Sequence, residues 1–208
     1  MATKYVKRYS ALDRLIHWTI AVTFIILVVT GLGLFEKKLS FLFDLFGGGE
    51  NAIAIHKYIG LLYFVTALWF SLAHLKDSIS FDKDDVAWIK VMGGYLNKKA
   101  IVPPMGKYNT GQKIFGIFVL LTTIIFGLTA LVIWTPATAA QGLARVSFLL
   151  HSLSFVIMIT FFVVHVYLGA IGVVGGLEGM IRGEVSEAWA KKYSPKWLSE
   201  QKKRGEAG

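Results

Sequence analysis

The chain contains no cysteine. That excludes disulfides, thiolate metal sites, cysteine-held iron–sulfur clusters and covalently tethered c-type haem. Any redox metal must be held by other side chains. Charge is also scarce. Only 17% of the 208 residues are charged while 55% are hydrophobic, where soluble domains carry about 25% charged residues. No acidic residue lies in the middle of an apolar stretch; Asp13, Glu36, Asp44 and Asp77 fall at the ends or outside. This weighs against a proton-coupled transporter, which calls for mid-membrane acids or broken helices. There is no internal repeat, no low-complexity tract and no nucleic-acid motif. The net charge of +9 is therefore read as an orientation and lipid-surface signal.

The apolar residues gather in four blocks, Leu15–Leu34, Ala52–Leu75, Ile114–Trp134 and Val146–Val174. Pro136 stops the third, and Gly175 with Gly176 stops the fourth. Each is long enough to span a bilayer at roughly 20 residues per crossing. The alternation of barrel strands is absent, and helices satisfy their own amides in lipid. The first block holds Arg14, His17 and Trp18 and ends without a small-residue cleavage site, so it is read as a retained helix rather than a signal peptide. The expected fold class is an all-α integral membrane protein. Residues 1–208 form one domain, with a four-transmembrane-helix bundle and a tail over 175–208.

Basic residues orient the chain. Lys4, Lys7, Arg8 and Arg14 precede the first block. Lys76, Lys83, Lys90, Lys98, Lys99, Lys107 and Lys113 lie between the second and third. Arg182, Lys191, Lys192, Lys196, Lys202, Lys203 and Arg204 follow the fourth. The opposite side carries only Lys37, Lys38, Lys57 and Arg145. The positive-inside rule then places both termini in the cytoplasm, in a multi-pass protein of the bacterial inner membrane.

An ionisable residue inside a spanning helix is costly and points to function. All five histidines lie in or at the ends of the apolar blocks. A lone histidine there is ordinarily a packed, hydrogen-bonded residue, but the spacing argues otherwise for four of them. His151 and His165 are separated by about 21 Å along a helix axis and lie about 40° short of four whole turns. They share a face at two depths. With the expected topology, His56 and His151 fall at the outer level and His17 and His165 at the inner level. Two stacked bis-histidine sites suit a di-haem b-type electron carrier. His74 shares the face of His56 about 27 Å further along, beside Lys76 and Asp77. It is read as an interfacial histidine near a haem propionate or a quinone. Arg14 and Lys57 flank ligand candidates, as propionate partners or as snorkelling cations.

The residues resemble a known family, the gamma subunit (cytochrome b556) of membrane-bound formate dehydrogenase. The carriers are DRLIHWT around His17, IHKYIG around His56, GKYNTGQK over 106–113, LLH and HVYLG around His151 and His165, and the tail GMIRGEVSEAWAKKYSPKW. The resemblance implies two haems b, the outer on His56 and His151 and the inner on His17 and His165. It implies a quinone site, for menaquinone or ubiquinone, at the cytoplasmic side. Asn109 is the first candidate contact there, followed by Gly111 and Gln112. A helix start capped by Asn109 or Thr110 would explain the same segment. The implied partners are an iron–sulfur subunit and a molybdenum or tungsten catalytic subunit, both on the outer face, in a complex open to higher oligomers. Related cytochrome b subunits of nickel–iron hydrogenases and of thiosulfate or polysulfide reductases share the histidine logic. The GKYNTGQK segment and the tail favour formate dehydrogenase.

Overall fold

The computed structural model describes residues 3–97 and 99–205; Lys98, one of the orienting cations, lies outside the described residues. Along the chain run β1 (Tyr5–Lys7), α1 (Ala11–Phe35), a 3-10 segment (Lys37–Phe46), α2 (Gly49–Ala73), α3 (Leu75–Ile79), α4 (Lys83–Lys90), α5 (Thr110–Trp134) and α6 (Gln141–Val166). A π-helical segment (Tyr167–Gly172), α7 (Gly176–Arg182), β2 (Glu184–Ser186), α8 (Glu187–Tyr193) and α9 (Pro195–Lys203) follow. Among the described residues, four helices are long and apolar enough to cross a membrane: α1, α2, α5, and α6 with its π-helical extension.

Each of these helices starts three to five residues before its apolar block. At two of the starts the cap explains the difference. The Ser10 amide donates to Asp13 Oδ2 (2.9 Å) and the Asp13 amide to Ser10 Oγ (3.0 Å) ahead of α1. Asn109 and Gln112 exchange the same pair of bonds at the start of α5 (3.0 and 2.9 Å). Such reciprocal capping satisfies orphan amides with polar side chains, and a hydropathy window registers those as non-membrane. The other end of α2 is shorter than expected. His74 leaves the helical conformation (φ −106°, ψ 11°) and the chain restarts as α3.

The described residues form two compact units. One holds Leu15–Leu72 and Val119–Val164. In it Phe24 of α1 packs on Tyr63 of α2 (ring centres 5.9 Å apart) and Phe162 of α6 (4.9 Å). Tyr58 of α2 meets Trp134 of α5 edge-on at 5.9 Å. Thr23, Thr30, Ala52, Ala67, Ser147 and Ser154 are buried, whereas Leu61, Leu128, Leu131 and Val163 are exposed. Small and hydroxyl-bearing residues inside, with large apolar ones outside, is the packing expected where the surroundings are hydrocarbon.

The other unit draws on Met1–Arg14, Ala73–Phe118 and His165–Gly208. Its sheet pairs β1 with β2 antiparallel, Val6 opposite Val185. These valines pack with Ala190, Trp197 and Leu198. The sheet was not expected from the sequence, because three-residue strands from the two ends of the chain are too short to show a pattern. Gly183, at φ +87°, lets its carbonyl take the amides of Arg8 (2.8 Å) and Tyr9 (3.0 Å). A Cβ there would lie 2.9 Å from the Tyr9 carbonyl oxygen. The Arg8 guanidinium lies over the Trp189 and Trp197 rings at 4.9 and 5.1 Å.

Within this unit Asp85 of α4 is only 1% exposed. Lys113 Nζ reaches both its oxygens (2.9 and 2.8 Å), Thr110 Oγ1 donates to Oδ1 (2.9 Å), and the Asp82 amide donates to Oδ2 (2.7 Å). Lys113 also donates to the Ser80 carbonyl at 2.6 Å. Replacing one partner of a buried pair leaves the other charge uncompensated, at a cost of about 3–5 kcal/mol. Lys113→Met should therefore lower the unfolding free energy by about that amount and increase hydrogen exchange in α4. The double change with Asp85→Asn should recover part of the loss. Equal stability of wild type and Lys113→Met in a denaturant titration in detergent would rule the clamp out.

Candidate functional site

The apolar unit brings two of the candidate histidines together. His56 projects from α2 and His151 from α6, with ring centres 6.5 Å apart and planes inclined at 55°. Thr30 Oγ1 lies 2.7 Å from His56 Nδ1, and Thr129 Oγ1 lies 2.9 Å from His151 Nδ1. Both hydroxyls already donate within their own helices, Thr30 to the Ile26 carbonyl (2.8 Å) and Thr129 to the Ile125 carbonyl (2.6 Å). Each hydroxyl therefore accepts Nδ1–H from its histidine. That fixes both rings as the tautomer whose Nε2 carries the free lone pair, the state a metal requires.

The geometry fits a haem. Metal–imidazole bonds of about 2 Å, plus about 1 Å from nitrogen to ring centre, set two axial rings about 6 Å apart. Gly31 leaves bare backbone beside His56; a Cβ there would sit 3.5 Å from His56 Cε1 and 3.6 Å from the Phe155 ring. The site is thus two imidazoles whose Nδ1 atoms are engaged by threonines, beside a glycine that adds no side chain.

The other two ligand candidates fall in different units. His17, on α1 in the apolar unit, stands edge-on to Trp18 at 5.4 Å and 6.5 Å from Phe70. His165, in the other unit, stacks on Phe115 at 4.7 Å with planes only 14° apart. The helix loosens to π geometry two residues later, a feature frequent at functional sites.

Of the remaining candidates, all but Lys57 lie in the second unit. Asn109 and Gln112 cap α5. Gly111 faces Trp88, which a Cβ would approach to 3.0 Å. Arg14 donates to the Ile181 carbonyl at 2.6 Å. In the apolar unit, Lys57 Nζ lies 5.5 Å from the centre of the Trp134 ring. His74 Nε2 sits 3.2 Å from Asp13 Oδ1.

Sequence reasoning missed Thr30 and Thr129. Their only signal was a hydroxyl in an apolar helix, which a bond to the preceding turn explains equally well. Thr30→Val and Thr129→Val keep the shape and remove the acceptor. An acceptor on Nδ1–H makes the imidazole more basic and so favours the oxidised metal. Each variant should retain haem and raise its midpoint potential by about 20–60 mV, the equivalent of one hydrogen bond. An optical redox titration indistinguishable from wild type would show that the threonines only pack.

The chain is similar along nearly its whole length to known proteins. The cytochrome b556(Fdn) subunit of the nitrate-inducible formate dehydrogenase of Escherichia coli (strain K12) is 31% identical over 99% of this chain and 98% of its own length. The cytochrome b556(fdo) subunit of an Escherichia coli (strain K12) formate dehydrogenase is 29% identical over 96% and 94%. A formate dehydrogenase cytochrome b556 subunit of Haemophilus influenzae (strain ATCC 51907 / DSM 11121 / KW20 / Rd) is 29% identical over 93% and 82%. Residues 8–183, which include every candidate histidine, match prokaryotic cytochrome b561. With that match over residues 8–183 and four long apolar helices, the chain belongs to the prokaryotic cytochrome b561 family.

Proposed function

We propose that this chain is the di-haem membrane subunit of a formate dehydrogenase complex. It takes electrons from an iron–sulfur subunit on the outer face and delivers them to a quinone near the cytoplasmic side. Formate chemistry belongs to a molybdenum or tungsten catalytic partner. The observation that carries this reading is the His56–His151 pair, facing at 6.5 Å, in a chain similar along its whole length to formate dehydrogenase cytochrome b556 subunits.

His56 and His151 would hold the outer haem, and His17 and His165 the inner one. The inner pair rests on helical register and on the family resemblance. Bound there, haem iron supplies reversible one-electron transfer. The protein's part is to supply four neutral imidazoles, to orient the outer two through Thr30 and Thr129, and to keep water away. The orientation is supported by where the charge lies. All but four of the 22 lysines and arginines fall in the segments that make up the second unit, which matches the cytoplasmic side of the positive-inside rule.

The quinone is assigned to the segment around Asn109, with Gly111 and Gln112 contributing. An uncharged amide can donate to a quinone carbonyl without placing a charge in a low-dielectric site. Asn109 also caps α5, so the two roles must be separated by experiment.

Two expectations follow from this assignment. The pyridine haemochrome assay on the loaded complex should give two haems b per chain. His56→Ala or His151→Ala should abolish one spectral component, and His17→Ala or His165→Ala the other. A haem count near zero in a fully assembled preparation would end the proposal. At the quinone site, Asn109→Asp keeps a capping oxygen and loses the amide donor, while Asn109→Ala loses both. Both should slow quinone reduction about 2- to 10-fold through one lost hydrogen bond, with haem reduction by formate intact. A loss confined to Asn109→Ala, with its cap penalty of about 1 kcal/mol, would leave Asn109 a cap and nothing more.

A further inference from the structure

His74 is not among the proposed ligands, yet it is half-enclosed and tied to one partner. Its Nε2 lies 3.2 Å from Asp13 Oδ1, with the two side chains only 12% and 20% exposed. The second Asp13 oxygen is held by the Ser10 amide at 2.9 Å. The Tyr108 ring meets His74 edge-on at 6.2 Å, immediately before Asn109. Lys107 Nζ, next along the same segment, is 3.6 Å from Asp77 Oδ2. These groups all belong to one unit.

Beside them opens a cavity of about 510 Å³, bordered among others by Ser10, Asp77, Ser80, Lys107 and Tyr108. At about 30 Å³ per molecule it holds a dozen or more waters. Of the cations that border it, Lys107 pairs with Asp77, Lys113 with Asp85, and Lys196 with Asp82 and Asp84, while Lys7, Arg8 and Arg204 border it as well. The lining is mainly polar, which suits water. The cavity touches Ser10 and Tyr108, the flanking contacts of the Asp13–His74 pair.

We propose that the His74–Asp13 pair is the proton donor to the quinone held by the Tyr108–Gln112 segment and is recharged from the water of this cavity, an assignment that rests on the quinone reading above. The His74 N–H bond breaks as an O–H bond forms on the reduced quinone oxygen. The neutral imidazole then takes a proton from cavity water, which draws it from the bulk. A second cycle supplies the second proton, and formate supplies both electrons through the complex. Burial, with the Lys107 ammonium adding to it, holds the His74 imidazole below its ordinary value, while the Asp13 and Asp77 carboxylates oppose that. Burial pushes the Tyr108 phenol well above its ordinary range, so Tyr108 stays protonated. Among the described residues, Asp13, Asp77, Lys107 and Tyr108 are charged and titratable groups that meet His74, from α1, α3 and the segment before α5.

The test uses the assembled complex in proteoliposomes, with formate and a short-chain quinone analogue. In wild type, quinol formation should slow as pH rises and His74 loses its proton. His74→Gln should be at least 10-fold slower, with a flattened pH profile and normal haem reduction by formate. Added imidazole should restore the rate of His74→Ala without accelerating wild type. Asp13→Asn keeps the Ser10 contact but removes the charge that favours the imidazolium, so the decline should move to lower pH. This variant carries the test even if the His74 variants fail to assemble. A wild-type rate and pH profile in His74→Gln, with quinone reduction intact, would overturn the proton donor alone. Slowing without imidazole rescue and with the wild-type pH profile would overturn it too, leaving His74 structural. If wild type with both haems reduced never passes electrons to the quinone, the quinone reading itself falls.

Discussion

An imidazole placed in hydrocarbon must give its Nδ1–H to an acceptor, because lipid offers none. Here the acceptors are threonines, Thr30 for His56 and Thr129 for His151. Each threonine can serve only because its own proton is spent on the preceding turn of its helix. The chain of dependence runs from helical backbone to hydroxyl to imidazole to free Nε2 lone pair. The packing around it follows. Gly31 clears space beside His56, and the buried positions nearby are small or hydroxyl-bearing while the bulky aliphatics face outward.

A second constraint organises the other unit. Asp85 is buried and needs a full set of donors, which come from Lys113, Thr110 and the Asp82 amide. Thr110 and Lys113 stand on the first turn of α5, where Asn109 and Gln112 form the cap and Gly111 admits the Trp88 ring. One short stretch therefore anchors α4, starts α5 and presents Tyr108 toward His74. A segment held by this many satisfied bonds is a rigid support for a substrate contact, and preorganisation of this kind is what a binding site requires.

The proposed electron path and the proposed proton path have different physical needs. Electrons require fixed ligands in a dry interior, and the apolar unit supplies His56 and His151 there. Protons require titratable groups beside water, and the unit that holds Asp13, His74 and the polar cavity supplies those. In the proposed scheme the two needs are met by different units of one small chain.

The sequence by itself determined the four spans, the imbalance of basic residues, the absence of cysteine chemistry and the spacing of the histidines along the helices. These are additive or periodic properties, and a run of apolar residues or a 14-residue interval survives any arrangement of neighbours. Only the tertiary structure decided which oxygen meets which nitrogen. Thr30 and His56 are 26 positions apart, Asp13 and His74 are 61, and β1 pairs with β2 across nearly the whole chain. The start of α1 was missed for the same reason on a smaller scale, since the Ser10–Asp13 cap is a bond between particular atoms and hydropathy counts only residue types, whereas a cap at Asn109 was already one reading of its segment. Hydrogen bonds are short-ranged and directional, so their partners are selected by the fold and leave almost no trace in local composition.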